Sequence, residues 1–303
     1  MRGDSTIRFQ TAVYRWYHRH GRSLPWRGER NPYRVLLSEV MLQQTQVNRV
    51  LEKYPFFLRR YPTIRALAKA RRADVIRVWK GMGYNNRAVR LHQLAHIIVA
   101  GHNGKVPATE KELTALPGIG RYTARAVLNS SFGVPVPIVE VNIQRLFSRH
   151  FWRMTTRTDK VPLLRVETRA VRVFPVRRGY DWNQALMDLG ATICTSRSPQ
   201  CIRCPVASSC RSRTRMGTVR APHEKKEPSL YGVPDRVYRG RIINCLRALK
   251  DGQTVSLENL GTSILPHFTH RNEAWLRRLL TKLEREGLVR LRTRGTKTRA
   301  SLP

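Results

Sequence analysis

The chain is short of carboxylates. Only 20 Asp and Glu stand against 57 Lys and Arg, which gives a formal net charge of +37 at pH 7. A field of that sign and size attracts polyanions, so DNA, ribosomal surfaces and anionic membranes are the partner classes that it favours. Generic basicity without a polyanionic partner stays open as the alternative.

Long hydrophobic runs are also absent. No stretch of 18 or more apolar residues exists to span a bilayer, which excludes a membrane-spanning helix. The first ten residues, MRGDSTIRFQ, contain no apolar signal core. We therefore expect a cytoplasmic, nucleoid-associated protein that faces nucleic acid and has no membrane partner.

Sustained strand alternation is missing from the first half of the chain. From Arg30 to about His150, apolar residues recur at the three- and four-residue spacing of amphipathic helices. The first such set is Leu36, Val40, Val47, Val50 and Leu51. The sequence therefore predicts an all-α fold, and 303 residues are enough for about two domains.

The composition shifts after Cys210. The stretch RSRTRMGTVRAPHEKKEPSLYGVPD carries three prolines and many charges with little periodicity, so residues 213–234 are predicted to be a linker. Residues 235–303 then indicate three helices and a basic hairpin, which resembles a winged helix, a helix-turn-helix variant that often contacts DNA. A protein-interaction module without DNA contact is the alternative.

Cysteine is rare except in one place. Four of the five cysteines lie within 17 positions, in CTSRSPQCIRCPVASSC, with gaps of six, two and five residues: Cys194, Cys201, Cys204 and Cys210. Without a secretion signal disulfides are disfavoured, so the clustered thiols indicate metal ligands. Zinc sites usually pair two CxxC units and this cluster has one, whereas the sequential spacing also suits a 4Fe-4S cubane. Cys245, alone in an apolar helix, is interpreted as a core residue.

A glycine turn separates two helical segments in LPGIGRYTARAVL. Gly118 and Gly120 flank this turn, and they leave backbone N–H groups free at a helix start, where a phosphate can dock. Read alone, a Gly-x-Gly turn is weak evidence for DNA binding.

The order of several motifs resembles the helix-hairpin-helix DNA glycosylases that carry an iron-sulfur loop, and most closely the adenine DNA glycosylases of the MutY type. The motifs are LPWR, NPYRVLLSEVMLQQTQV, GMGY, LPGIGRYTA and WNQALMDLGATIC, and they cover about residues 20 to 210. The resemblance implies a 4Fe-4S cluster on the four cysteines in preference to zinc. It also implies two α-helical lobes with DNA between them: residues 1–29 and 137–212 around the cluster, and a six-helix lobe at 30–136.

Chemistry on a base inside a duplex requires that the base leave the stack. Gln44, in MLQQT, matches the family's wedge position and would fill the vacated space; a solvated helix glutamine is the alternative. Phosphate contacts are expected from Gly118 and Gly120 and from three arginines, Arg27, Arg87 and Arg121. Binding should then fall steeply with salt.

The resemblance implies that Glu39, in SEVMLQQT, is the general acid. Its apolar neighbours in sequence should desolvate the carboxyl group and raise its pKa. A Glu that stays partly protonated near neutral pH can protonate a purine ring nitrogen and improve the leaving group. The alternative is a structural carboxylate that caps a helix or pairs with Arg34 or Arg49.

Glu140 interrupts the apolar run in PVPIVEVNIQRL. Breaking an N-glycosidic bond leaves positive charge on the sugar, which an anion beneath the ring can stabilise. Family members place an Asp there, and the extra methylene of Glu moves the carboxylate by ~1.5 Å, a displacement that can cost ~10²-fold in rate. The alternative is a structural role, with Glu140 paired to Arg145 or to a helix N-terminus.

Tyr122, in GRYTA, occupies the position where related bifunctional enzymes carry an attacking Lys. A phenol cannot form a Schiff base, so we expect a monofunctional glycosylase that leaves an abasic site. Asn142 matches the family's Asn, and we expect Tyr122 and Asn142 to orient Glu140 or the sugar.

Two departures from the family pattern concern the substrate. Asn85 follows GMGY where a second aromatic is usual, and the C-terminal part does not match the domain that recognises 8-oxoguanine. We expect a monomer that acts on duplex DNA with a mismatched or damaged base, removing adenine opposite 8-oxoguanine or guanine. A thymine or uracil glycosylase acting opposite guanine is one alternative, and a non-catalytic DNA-binding protein is another.

Overall fold

The computed structural model describes residues 2–154, 161–213, 227–295 and 297–303, and most of them are helical. The helices before the cysteine loop are α1 Arg2–His20, α2 Pro32–Leu42, α3 Val47–Arg60, α4 Ile64–Lys69, α5 Arg72–Val78, α6 Asn86–Gly101, α7 Glu110–Ala115, α8 Arg121–Ser131, α9 Val141–Trp152, α10 Leu163–Arg172 and α11 Gly179–Asp188. A π-helical turn, Leu189–Ile193, continues α11. The predicted all-α class is confirmed, and no helix in these described ranges is long and apolar enough to cross a membrane.

The chain forms two compact units. The first unit is Met1–Leu36, Ala108–Thr114 and Ile119–Glu224, and the second is Leu37–Pro107, Ala115–Gly118 and Lys225–Pro303. Helix α8, which the sequence-based division assigned to the six-helix lobe, thus packs within the first unit. The predicted linker at 213–234 falls mainly on residues 214–226, which lie outside the described residues. The other predicted limits stay predictions.

Aromatic side chains fill the core of the first unit. On α1, residues four apart such as Phe9 and Val13 face inward because a helix turns once in about 3.6 residues. The Phe9 ring meets Trp182 of α11 edge-on, with ring centroids 5.6 Å apart, and it meets Phe147 of α9 in the same way at 6.3 Å. This core holds the N-terminal end of α9 in position beside the cysteine loop.

A buried carboxylate joins α11 to the segment after α1. Asp188 has a fully buried side chain, and it accepts hydrogen bonds from Arg22 Nε at 2.7 Å and from Arg27 Nη2 at 2.7 Å. Burial alone would raise the pKa of Asp188, but the hydrogen bonds from Arg27 and Arg22 outweigh it and hold that pKa below its ordinary value. The loop that begins LPWR is anchored by this carboxylate.

The second unit contains the C-terminal domain, residues 229–303. Its helices are α12 Asp235–Ala248, α13 Leu257–Ile264 and α14 Glu273–Arg285. Its strands are β1 Ser229–Leu230, β2 Val233–Pro234, β3 Val255–Ser256, β4 Arg290–Arg294 and β5 Lys297–Ser301, and the last three form an antiparallel sheet in the order β3-β5-β4. These are the three helices and the basic hairpin that the sequence predicted.

One hydrophobic cluster runs through the second unit. Ile76 of α5 and Val89 of α6 belong to the same buried cluster as Leu246 of α12 and Leu283 of α14. Because the cluster is continuous, the C-terminal domain and the helices of residues 37–107 share a core within this unit. A separately tethered module would not bury these side chains together.

Replacing Asp188 by Asn should strongly destabilise the first unit, because the two arginines would lose their charged acceptor in a buried place. We expect a loss of about 3–5 kcal/mol in the free energy of unfolding at pH 7, measured by guanidinium denaturation. A carboxylate with a lowered folded pKa contributes stability above its unfolded pKa and loses it as the pH falls. The deficit should therefore shrink in acid.

The matched control is Glu29→Gln, which removes the negative charge from a more exposed ion pair with Arg34, 3.2 Å long. Such pairs contribute about 0–1 kcal/mol. Equal losses in the two variants would contradict the anchoring role of Asp188.

Candidate functional site

Glu140 is the N-cap of α9. Its backbone is extended, and its Oε1 accepts a hydrogen bond from the Ile143 backbone N–H at 3.2 Å. Its Oε2 accepts from Asn142 Nδ2 at 3.1 Å. The helix N-terminus carries unpaired N–H groups and a partial positive charge, so it stabilises a carboxylate at this position. One of the structural alternatives, a carboxylate at a helix N-terminus, is therefore observed.

Asn142 is itself held by an arginine that reaches the cysteine loop. Arg145 Nη2 donates to Asn142 Oδ1 at 2.7 Å and to the Gly190 carbonyl at 2.6 Å, and Arg145 Nε donates to the Cys194 carbonyl at 2.8 Å. A Cβ on Gly190 would lie 2.8 Å from the Asn142 Cβ, so only glycine permits this approach. The orientation of the Glu140 carboxylate thus depends on the first cysteine of the loop.

The environment of Glu140 is largely dry. Burial raises the pKa of Glu140, and the hydrogen bonds from Asn142 and Ile143 and the charge of Arg145 only partly oppose that effect. The neighbouring Ile138 is buried and Val141 is exposed, so the carboxylate lies at the margin of the core. A group at such a margin can meet a ligand without full solvation.

Two other predicted catalytic residues lie on separate helices. Tyr122, in the first turn of α8, is half-buried, and its hydroxyl lies 3.8 Å from the sulfur of Met187. Glu39, in the second unit, is half-buried on α2 between the buried Ser38 and Val40. Glu39 thus lies at the margin of the core of its unit, and its role as an acid stays a prediction.

The four clustered cysteines line one pocket in the first unit. Arg149 closes one side, since its Nη1 donates to the Thr195 carbonyl at 2.6 Å and lies 3.5 Å from Cys194 Sγ. Burial, together with the charges of the other three thiols, raises the pKa of Cys204 to about 12, against the opposing hydrogen bond from the Val206 backbone. Within the described ranges no group of three or more such side chains is set to hold a metal ion.

Gln44 and Tyr84 are exposed residues of the second unit with a left-handed backbone, a conformation also found there at Asn103 and Tyr231. Gln44 has a φ of 54° and Tyr84 a φ of 42°, a region that bulky residues rarely occupy without compensation. Both line the same groove, of about 710 Å³. Backbone strain of this kind concentrates at functional sites, and Gln44 is the predicted wedge.

Arg87 holds these two strained loops together, and its predicted contact with phosphate is wrong. The residue is only 4% exposed. Its Nη1 donates to the carbonyls of Val40 and Met41, and its Nη2 donates to Met82 O at 2.9 Å and to Thr45 Oγ1 at 2.7 Å. The pKa of Arg87 falls to about 10 because of burial. Both Nη groups are engaged inside the protein, and the guanidinium group is too buried to reach a phosphate.

Arg27 needs the same correction. Its side chain is 12% exposed and donates to Asp188 from both Nη atoms, so no face of the guanidinium group remains for a phosphate. Arg121 is exposed, but it pairs with Glu110 at 3.0 Å and with Glu167 at 2.9 Å. Its contact with DNA stays a prediction, and it would require exchange of those partners.

The predicted phosphate turn has the expected backbone. Gly118 has a φ of 82°, which favours glycine, and its carbonyl accepts a hydrogen bond from Gln43 Nε2 at 3.3 Å. Gly120 is the N-cap of α8, and a Cβ added to it would meet no atom within 4 Å. A ligand atom can therefore approach Gly120 without meeting another side chain, and the contact of this turn with phosphate stays a prediction.

Sequence reasoning missed the arginines that position the site. Arg145 was considered only as a partner of Glu140, and Arg149 was not considered. Their spacing from Asn142, at three and seven residues, places all three on one face of α9. That periodicity was readable, but the acceptors are backbone carbonyls, which carry no signal in sequence.

The chain is similar to known proteins over most of its length. Residues 37–167 match the family model of the HhH-GPD superfamily base excision DNA repair proteins. The adenine DNA glycosylase of Mycobacterium tuberculosis is 40% identical over 241 residues, which cover 78% of this chain and 78% of that protein. The chain belongs to the HhH-GPD superfamily of base excision DNA repair proteins. The resemblance expected from the motifs is thus confirmed.

Two solved structures share the HhH-GPD fold of this chain. A thermostable thymine-DNA glycosylase is 27% identical to this chain, with a TM-score of 0.66. The alignment covers 71% of this chain and 99% of that one. Endonuclease III, in the structure of a trapped covalent intermediate with DNA, is 25% identical to this chain, with a TM-score of 0.61. The alignment covers 70% of this chain and 97% of that one. The regions covered leave out nearly a third of this chain.

Glu140→Gln should stabilise the protein at neutral pH. A carboxyl group with a raised folded pKa contributes stability below its unfolded pKa, and that contribution is lost as the pH rises through the folded pKa. The amide keeps an acceptor for the Ile143 N–H without the cost of burying a charge. We expect a higher free energy of unfolding than the wild type at pH 7, with the two converging in acid.

Glu140→Ala is the control, because it removes the cap as well as the charge and should cost about 1 kcal/mol. A Gln variant less stable than the wild type at every pH would show that the ionised carboxylate holds the fold together.

Proposed function

We propose that this protein is a monofunctional adenine DNA glycosylase, which hydrolyses the bond between a flipped-out adenine and its deoxyribose. The observation that carries the proposal is a dry carboxylate, Glu140, oriented by Asn142 and capping α9, in a chain 40% identical to an adenine DNA glycosylase. Its substrate is duplex DNA with adenine opposite 8-oxoguanine or guanine. The protein acts as a monomer at the nucleoid.

Glu39 is the proposed general acid. Protonation of a purine ring nitrogen withdraws electrons from the glycosidic bond, so that the base departs as neutral adenine. Glu39 is half-buried between the buried Ser38 and Val40 of α2, at the margin of the core of its unit. The sugar is left with positive charge at C1′.

Glu140 is the proposed stabiliser of that charge. Its carboxylate accepts two hydrogen bonds from its own helix start, which fixes the direction of the remaining lone pairs. Water then adds to C1′ and gives up a proton, leaving an abasic site. Tyr122 orients the site and forms no covalent bond with the sugar, because a phenol has no amine to condense with it.

The longer side chain at position 140 is compatible with this role. Glu140 folds back onto the Ile143 N–H, which shortens the reach of the side chain relative to an extended glutamate. The extra methylene is therefore taken up in the cap instead of pushing the carboxylate ~1.5 Å outward. A weakened rather than abolished activity relative to an aspartate is the expected consequence.

The four cysteines are proposed to hold a 4Fe-4S cluster. Cys194, Cys201, Cys204 and Cys210 line one pocket, and four cysteine thiolates are the ligand set that holds such a cluster. The bound group would supply structural order to the loop of residues 194–210 and no reaction step. Arg203 donates to Gln200 at 3.0 Å, and with Arg197 it would present positive charge to DNA.

Iron content and visible absorbance test the cofactor. Protein purified without oxygen should show a broad thiolate-to-iron band and about four irons per chain. Cys201→Ser should lose both, whereas the control Cys245→Ser should keep them because Cys245 lies on α12 in the C-terminal domain. A colourless wild type that contains zinc would refute the assignment.

Contacts with DNA are proposed from both units. Gln44 would enter the space left by the base, and the open start of α8 at Gly120 would receive a phosphate. The hairpin β4–β5 pairs Arg292 with Arg299, so it carries uncompensated charge suited to a winged-helix contact. Affinity should fall steeply with salt through counterion release.

A second candidate function is removal of thymine or uracil opposite guanine. It is favoured by the structural similarity to a thymine-DNA glycosylase, with a TM-score of 0.66. A pyrimidine does not obviously need an acid at Glu39, which is the argument against it. A non-catalytic protein that only binds distorted DNA is the third possibility.

Duplexes with A:8-oxoG, A:G, T:G, U:G and hypoxanthine pairs separate these functions. We expect single-turnover strand breaks after alkali with the first two pairs. Glu39→Gln and Glu140→Gln should each lose at least ~10²-fold in rate while keeping DNA affinity within about twofold. Breaks only at T:G or U:G would select the second function.

Borohydride trapping checks the monofunctional mechanism. The wild type should form no covalent adduct with DNA under reduction, and Tyr122→Lys offers a positive control for a trappable amine. Efficient trapping of the wild type would refute the proposed chemistry at Tyr122.

A further inference from the structure

A guanidinium group of the C-terminal domain reaches the loop that bears Tyr84. Arg247, near the end of α12, donates from Nη2 to Asn85 Oδ1 at 2.8 Å and from Nε to the Ile76 carbonyl at 2.9 Å. A third bond goes to Asn244 Oδ1 of its own helix, at 3.0 Å. All of these residues belong to the second unit.

The Asn85 side chain serves Arg247 instead of its own helix. Asn85 is the N-cap of α6, where an Asn side chain usually accepts a hydrogen bond from the first turn, yet no such cap bond is present. The side chain is turned to the C-terminal domain. The residue that follows GMGY is therefore a point of attachment between that domain and the loop.

Tyr84 directly precedes this attachment. It is 58% exposed and strained, and it lines the same groove as Gln44 and as Arg236 and Arg239 of α12. The conformation of Tyr84 is therefore fixed from two sides, by Arg87 behind it and by Asn85 after it. A loop so constrained presents one arrangement of Tyr84 and Gln44 to a ligand in the groove.

Arg247 is not needed to dock the domain. Apolar packing around Leu246 joins the domain to Ile76, and Asp251 accepts from Arg71 at 2.6 Å and from Arg77 at 2.8 Å. Burial lowers the pKa of Arg247 to about 10, so keeping its charge there is costly, and its three hydrogen-bond acceptors are neutral oxygens. Because other contacts already hold the domain in place, the buried charge of Arg247 is not explained by docking. It indicates that Arg247 positions the loop at Asn85.

We propose that Arg247 is a specificity-determining positioning residue: through Asn85 it makes the C-terminal domain set the arrangement of Tyr84 and Gln44, and thereby which base pairs the enzyme opens. This inference rests on the proposed function, in which Gln44 enters the duplex. Opening a base pair requires a preformed wedge, because unstacking a base costs free energy. Well-placed side chains offset that cost by filling the space that the base leaves. The partner is duplex DNA at the pair that contains the target base.

The test uses the full-length protein and a duplex with 2-aminopurine in the strand opposite the target adenine, next to the pairing base. Fluorescence of 2-aminopurine rises when it is unstacked, so it reports wedge insertion without requiring base release. Arg247→Met and Asn85→Ala should each lower the insertion rate about tenfold, the effect of losing one charge-assisted hydrogen bond. Excision of adenine opposite 8-oxoguanine, relative to adenine opposite thymine, should fall by a similar factor.

A double variant distinguishes the relay from general damage. If the Arg247–Asn85 bond carries the effect, the double variant should be no slower than either single one. Arg247→Lys should restore part of the rate, since an ammonium group reaches one of the acceptors. Arg241→Met is the matched control on the same helix, because Arg241 donates to the Ile264 carbonyl inside the domain at 2.9 Å, and it should behave as the wild type.

Arg247→Met with the insertion rate of Arg241→Met would overturn the proposal, as would additive losses in the double variant. If Arg247→Met does not fold, Asn85→Ala decides alone, with thermal melting as the check on its integrity. Failure of the proposed function would give a different result. The wild type would raise the 2-aminopurine fluorescence by inserting its wedge, but it would release adenine from no base pair.

Discussion

Guanidinium groups that donate to backbone carbonyl oxygens hold the loops on which the proposed site depends. The chain has few carboxylates to pair with its arginines, so Arg87, Arg145 and Arg247 donate to neutral oxygens, and each has at least one backbone carbonyl among its acceptors. A planar group with five donors can bridge two or three carbonyls that no helix or sheet satisfies. In this protein, hydrogen bonds from arginine to neutral oxygens therefore fix loops that ion pairs would fix in a protein richer in carboxylates.

Around Glu140, hydrogen bonds of this kind form a series that ends at the cysteine loop. The carboxylate depends on Asn142, Asn142 depends on Arg145, and Arg145 depends on carbonyls at Gly190 and Cys194. The first two bonds are local in sequence, whereas the last two cross 45 and 49 residues and tie a proposed catalytic group to the cysteine loop. The order of that loop is transmitted to the carboxylate through hydrogen bonds.

In the second unit, the C-terminal domain is tied to the neighbouring loops, as the cysteine loop is tied to Glu140 in the first. Its leucines share one core with Ile76 and Val89, and its ion pairs at Asp251 are partly exposed. A domain fused in this way cannot move freely on a linker, so any preference that it has for DNA acts on the neighbouring loops. The strained φ angles at Gln44 and Tyr84 lie in the two loops that Arg87 joins through Thr45 and Met82.

Helical periodicity, the cysteine spacing and the motif order were sufficient to predict the helical class, the family, and the three helices and hairpin at the C-terminus. These features depend on neighbours within a few residues, where spacing translates directly into a face of a helix or a loop. Glu140 was also recognisable, because a carboxylate in an apolar run must have a partner or a use.

Tertiary structure alone decided which arginines are free for DNA. Arg27 pairs with Asp188, 161 residues away, and Arg87 turns inward to carbonyls of a segment more than 40 residues earlier. Whether a guanidinium group faces solvent or the interior depends on acceptors that the fold brings to it, and backbone carbonyls are the same in every sequence. A count of positive charges therefore indicates polyanions as a class of partner, but not the side chains that touch them.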